Sequence, residues 1–107
     1  MIKMDEIKKE ILRFQEERGW KKFHTPENLA KSISIEAAEL LEHFQWGKEY
    51  DIEEVAEELA DVLIYSLYMA DSLKLDVKEI ILNKIEKNAI KYPVEKSKGV
   101  ATKYDRL

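Results

Sequence analysis

The sequence predicts an all-α fold of four helices that assembles as a dimer or larger, and three observations predict it. Three glycines and two prolines among 107 residues favour long helices joined by short loops. Apolar residues recur at helical spacing through four stretches, each introduced by capping chemistry or closed by a Gly or Pro signal. In one of them, Leu59 to Ala70, Asp61 and Ser66 are the strongly polar residues, so that helix is apolar nearly all round. Such a helix needs burial on every side. A four-helix monomer of this size does not easily surround it, so a second copy is expected to cover it.

The first helix is expected over 4–18. Ile7, Ile11, Leu12 and Phe14 fall near one stripe, with charged residues elsewhere, and Gly19 terminates it. Trp20 to His24 forms the first loop, dense in aromatic rings for a short connection. It either plugs into the core or offers a platform for a flat ligand, since aromatic faces stack on any base. Thr25 is the N-cap of the second helix and Pro26 its first residue. This helix is expected to run to about Phe44 or Trp46. Leu29, Ile33, Glu36, Leu40 and Phe44 share one stripe of it, while Lys31, Ser34, Glu42 and Gln45 point away. Glu36 therefore lies in the middle of the buried face and Glu39 at its edge.

Asp51 with Glu54 makes an Asp-led capping box for a third helix, about 52–73, whose acidic first turns suit the helix dipole. Asp76 and Glu79 repeat the pattern for a fourth helix, about 77–91, which Tyr92-Pro93 ends. The Lys-rich tail is expected to be mobile or docked on a neighbouring subunit. The chain is read as a single domain, 1–107, with a helical core over about 4–92 and a tail over 93–107.

Composition narrows the function. A net charge of −4 argues against a nucleic-acid backbone as partner, but not against a metal-chelated nucleotide, because the metal reverses the local sign. With no cysteine there is no disulfide, thiolate site or cysteine nucleophile. The segment Met1 to Glu6 lacks the apolar core of a leader, and Val62 to Ala70 is far too short to span a bilayer. A cytoplasmic protein without a membrane partner is expected.

The chemistry centres on four carboxylates. Glu36 and Glu39 are spaced i, i+3, and so are Glu58 and Asp61, so each pair projects from one side of its helix. Packing the two helices together would gather four negative charges beside apolar walls, at a cost of several kcal/mol per uncompensated charge. A hard divalent cation such as Mg²⁺ is the natural compensation. A di-iron site of the ferritin-like kind needs Glu-x-x-His twice. It fails here because Leu40 stands three before His43 and Lys21 three before His24. A merely solvated acidic face, as in a helical interaction protein, leaves Glu36 and Asp61 in apolar surroundings unexplained.

The pattern Glu36-x-x-Glu39, eighteen residues, Glu58-x-x-Asp61 resembles that of the MazG-like all-α nucleoside triphosphate pyrophosphohydrolases. Phe23-His24, Pro26, Asn28-Leu29, Glu39-Leu40 to Phe44-Gln45-Trp46, Glu57 to Leu59, Asp61 to Tyr65, and Asn88 with Tyr92-Pro93 are closer still to the dCTP pyrophosphatase branch. The resemblance implies a four-helix bundle, assembled as a homodimer or homotetramer. It implies hydrolysis of a (deoxy)nucleoside triphosphate, such as dCTP or a related pyrimidine nucleotide, to the monophosphate and pyrophosphate. By the same carry-over Glu36, Glu39, Glu58 and Asp61 hold Mg²⁺, or Mn²⁺ in its place, and a coordinated water attacks the α-phosphorus. Trp20, His24 and Trp46 would line the base and sugar pocket, and Tyr65, Lys84 and Asn88 would contact sugar or phosphate. The chain departs from relatives at Ile35, where a small residue is common, and near Ile11, where some carry a histidine. Both differences bear on the choice of base. A broad housecleaning hydrolase of modified nucleotides and a metal-binding interaction protein without turnover are the alternative readings.

Overall fold

The computed structural model describes residues 3–107. Met1 and Ile2, the start of the segment read above as lacking a leader core, lie outside the described residues. All regular structure among the described residues is helical: α1 Met4–Glu17, α2 Pro26–Glu42, α3 Ile52–Ser72, α4 Val77–Lys91 and α5 Val94–Ser97, with 3-10 turns at Lys21–Phe23 and Tyr104–Arg106. The chain divides into two compact units, one ending at Lys74 and the other running from Leu75 to Leu107.

In the first unit, α1 stops at a Schellman motif. Gly19 takes φ +63°, its N–H donates to the Glu16 carbonyl at 3.0 Å, and the Trp20 N–H donates to the Gln15 carbonyl at 3.1 Å. Helix α2 starts where expected. The Thr25 hydroxyl accepts from the Asn28 N–H at 3.2 Å, and Pro26 stands at the first helical position. It ends earlier than the periodicity suggests, at Glu42. His43, Phe44 and Gln45 instead donate to the carbonyls three residues back, which winds the chain into a tighter turn before Gly47, at φ +122°. The Asp51 carboxylate caps α3 by accepting from the Glu53 and Glu54 N–H groups at 2.9 and 3.4 Å.

Helix α2 packs along α3, and α1 packs on α3. The Tyr68 hydroxyl fastens α1 by donating to the Ile11 carbonyl at 2.7 Å. Leu29 is completely buried, and Tyr68 and Ala70 nearly so. Helix α3, which a single chain is not expected to surround, leaves Leu59 46% exposed and Leu63 55%. Within the first unit, helices α1 and α2 cover only part of its circumference.

In the second unit the Asp76 carboxylate caps α4, accepting from the Glu79 N–H at 2.9 Å. Tyr92 closes α4 before Pro93, as the sequence indicates. The tail differs from expectation. One further helical turn, α5, follows Pro93, and Tyr104 returns to set its ring edge-on to Tyr92 at 6.1 Å beneath the Lys91 ammonium. Aromatic and cation–π contacts at the end of α4 hold a segment that was expected to be mobile or docked on a neighbouring subunit.

Candidate active site

The site forms within the first unit, where two helices bring their carboxylates together. Glu36 projects from α2, and Glu58 and Asp61 project from α3. One oxygen of each lies within 4.8 Å of the other two. Glu36 and Glu58 are part-buried and Asp61 is exposed, so the cluster has a wet side and a dry side. Oε2 of Glu36 and Oε2 of Glu58 are withdrawn from solvent and have no hydrogen-bond partner. Buried acceptors of this kind are costly and call for a missing partner.

The electrostatics agree. Burial pushes the Glu36 carboxyl up to about 7, assisted by the neighbouring Glu58 and Glu39 carboxyls. The neighbouring Glu36 carboxyl favours the charged form of Glu58, but burial and the nearby Glu39 and Asp61 outweigh it, and Glu58 is raised overall. Both carboxyls are thus held above the usual range by burial and by one another's acidic neighbours. Glu39 stands outside the three converging oxygens but close enough to act on both. An all-oxygen donor set with orphaned buried acceptors fits a hard divalent cation, Mg²⁺ or Mn²⁺, better than it fits any soft metal.

A cleft of about 350 Å³ adjoins the cluster and shares Asp61 with it. Trp20 and His24 from the first loop, Tyr65 and Tyr68 from α3, and Phe14 from α1 form its aromatic walls. His24 sits between rings: 5.0 Å from Tyr68, 6.2 Å from Tyr65 and 6.2 Å from Trp20, centroid to centroid. The loop is held by its own bonds, with the Asn28 amide donating to the Phe23 carbonyl at 2.9 Å. Burial, then the charges of Glu36, Asp61 and Glu39, push the Tyr65 phenol up, so it remains an O–H donor at neutral pH.

Of the residues singled out from sequence, Glu36, Glu58 and Asp61 converge, Glu39 flanks them, and Trp20, His24 and Tyr65 share the adjoining cleft. Trp46 lies in the connection after α2, is 90% exposed in this chain, and is not among the residues lining the cleft. Lys84 and Asn88 lie four residues apart on exposed turns of α4, in the second unit. Sequence reasoning missed Glu10, Tyr68 and Gln15. Gln15 was detectable, because it falls four residues after Ile11 on an otherwise apolar stripe, the position at which Glu36 attracted notice on α2.

The sequence model of the MazG-like family matches residues 31–107. The chain belongs to the MazG-like family. Relatives named dCTP pyrophosphatase 1 align over 97% of this chain and 67% of their own length, at 34% identity for the mouse protein and 31% for the human one. A crystal structure of a pyrophosphatase from Archaeoglobus fulgidus DSM 4304 superposes with a TM-score of 0.76 and 48% identity, over 84% of this chain and 92% of the other. The family match covers Glu36, Glu39, Glu58 and Asp61. The aromatic loop precedes it and is reached by the alignments to the dCTP pyrophosphatases. Among the described residues of this MazG-like chain, no helix is long and apolar enough to cross a membrane.

Proposed function

We propose that this MazG-like nucleoside triphosphate pyrophosphohydrolase is Mg²⁺-dependent and acts on a pyrimidine deoxynucleotide such as dCTP, releasing the monophosphate and pyrophosphate. The observation that carries the reading is the junction of two features at Asp61: a carboxylate cluster with orphaned oxygens, and an aromatic cleft large enough to take a planar base. Glu36, Glu58 and Asp61 would hold the cation. When bound there, it supplies charge neutralisation for the triphosphate and makes water more acidic. The chain's own residues do the rest. Trp20, His24, Tyr65 and Tyr68 receive the base and set the distance from it to the carboxylates.

Water attacks the α-phosphorus, the bond to the bridging oxygen breaks, and pyrophosphate leaves with that oxygen and its electron pair. Glu39, beside the three converging oxygens without being one of them, accepts the proton that the water gives up. Such a reaction removes unwanted nucleotides from the pool, and its expected compartment is the cytoplasm, where that pool lies. The exposed apolar surface of α3 supports a homo-oligomer, dimer or tetramer, and sedimentation at several concentrations tests that part.

The activity is tested by offering canonical and modified nucleoside triphosphates with Mg²⁺ and separating the products. Monophosphate with pyrophosphate supports the reading, whereas diphosphate with orthophosphate refutes attack at the α-phosphorus. Replacing Asp61 by Asn should abolish turnover in a folded protein. Full activity in that variant would end the assignment of the site.

A further inference from the structure

We propose that Gln15 is a positioning residue that holds His24 in its neutral Nε2–H form, so that the cleft presents one fixed hydrogen-bond donor to a nucleobase. The inference rests on the nucleotide reading above and deepens it. Gln15 is 6% exposed, the one buried polar residue among the described residues, and it does not itself line the cleft. Its amide Nε2 lies 2.7 Å from His24 Nδ1. With the amide nitrogen facing the ring as placed, Nδ1 accepts and the ring proton sits on Nε2.

The rest of the geometry agrees. No hydrogen bond within the described residues occupies His24 Nε2, and that nitrogen is not among the buried unpartnered atoms, so it is open to a ligand. Tyr65, Tyr68 and Trp20 pack around the ring, and Tyr68 is pinned by its own bond to the Ile11 carbonyl. Neither rotation nor re-protonation of the imidazole is then free. Burial also lowers the His24 pKa, which keeps the ring neutral. The other charged and titratable groups lining the cleft are Glu10 on α1 and Asp61, Tyr65 and Tyr68 on α3.

A single fixed donor selects by chemistry. It favours a base that presents a carbonyl or bare ring nitrogen there and disfavours one that presents N–H. Cytosine and uracil carry inverse donor and acceptor patterns at positions 3 and 4, and the same acceptor at position 2. The tautomer of His24 therefore bears directly on which of the two is turned over.

The test replaces Gln15 by Glu, which keeps the shape but turns the donor into an acceptor. Long-range ¹H–¹⁵N correlation spectra of the ligand-free full-length protein should show Nε2–H in the unaltered chain and Nδ1–H in Gln15→Glu at alkaline pH. With dCTP and dUTP as substrates, kcat/KM of Gln15→Glu should fall roughly tenfold for the preferred base, the scale of one lost hydrogen bond in a dry site. The ratio of variant to unaltered kcat/KM should recover on acidification, as an ion pair between the introduced carboxylate and the His24 imidazolium restores a proton to Nε2. Loss of packing alone would not produce that recovery. Gln15→Met, similar in size and without either group, should lose selectivity with no acid recovery. An Nδ1–H signal in the unaltered protein overturns the inference even if activity is intact, and so does a Gln15→Glu enzyme with unchanged base preference and pH profile. Absence of any turnover by the unaltered protein with Nε2–H present would instead count against the nucleotide reading, and nucleotide binding followed at His24 would then decide the positioning role.

Discussion

Replacing Glu36 by Gln should stabilise the metal-free protein and at the same time destroy its response to Mg²⁺. The folded-state pKa of Glu36 stands at about 7 against an ordinary 4.5. A raised carboxyl binds its proton more tightly in the folded than in the unfolded chain between those values. Stability of the metal-free protein is therefore fully present below about 4.5 and is lost as pH rises through about 7. For a wholly buried group that displacement corresponds to about 3 kcal/mol. Glu36 is only part-buried, and solvent screening reduces the figure to about 1 kcal/mol. For a chain of this size that is a shift of about 4–8 °C in Tm. Thermal unfolding at fixed protein concentration, with a chelator, should thus show Glu36→Gln melting higher than the unaltered chain at neutral pH, with the difference vanishing in acid. Mg²⁺ at a hundredfold excess over its Kd should add about 2.7 kcal/mol to the unaltered protein and much less to the variant, which has lost a ligand. A variant that melts lower than the unaltered chain in chelator, or that gains as much from Mg²⁺, would refute the argument that Glu36 is a strained carboxylate awaiting a cation.

Other consequences are simpler to read. Trp20→Ala removes a stacking wall of the cleft and should raise KM for the nucleotide by roughly 5- to 150-fold, the span of about 1–3 kcal/mol per stacked base, with kcat changed less; steady-state kinetics checks it. Glu39→Gln should lower kcat while leaving Mg²⁺-induced stabilisation near that of the unaltered chain, whereas Glu58→Gln should lose both, as paired kinetic and thermal measurements would show. Leu29→Ala opens a hole at a completely buried position on the helix that carries Glu36 and should cost about 2–5 kcal/mol by denaturant titration. Thr25→Ala removes the cap of the same helix and should cost about 1 kcal/mol.

Local rules written along the chain decided much of this protein. Thr25-Pro26, Asp51 and Asp76 start helices because a side-chain oxygen meets an otherwise unpaired N–H within three residues, and no distant contact is needed for that. Gly19 ends α1 because a left-handed residue is required there. The i, i+3 spacing put each carboxylate pair on one side of its helix, and Glu36 was conspicuous because it interrupts an apolar stripe. These features single out the four acidic residues, and the motif they form with its flanking segments carries the resemblance to the MazG-like family.

Only the tertiary structure decided which groups meet. The end of α2 fell at Glu42 because its hydrogen bonds shorten to the third residue, an energetic choice that a hydrophobic period does not record. The packing of α2 on α3 chose three oxygens, those of Glu36, Glu58 and Asp61, and left Glu39 beside them. Gln15 and Tyr68 acquired their importance from partners nine and fifty-seven residues away, His24 and the Ile11 carbonyl. The order of residues sets the direction in which a side chain leaves its own helix. Which acceptor waits there depends on how helices cross, and that is set by packing summed over many residues.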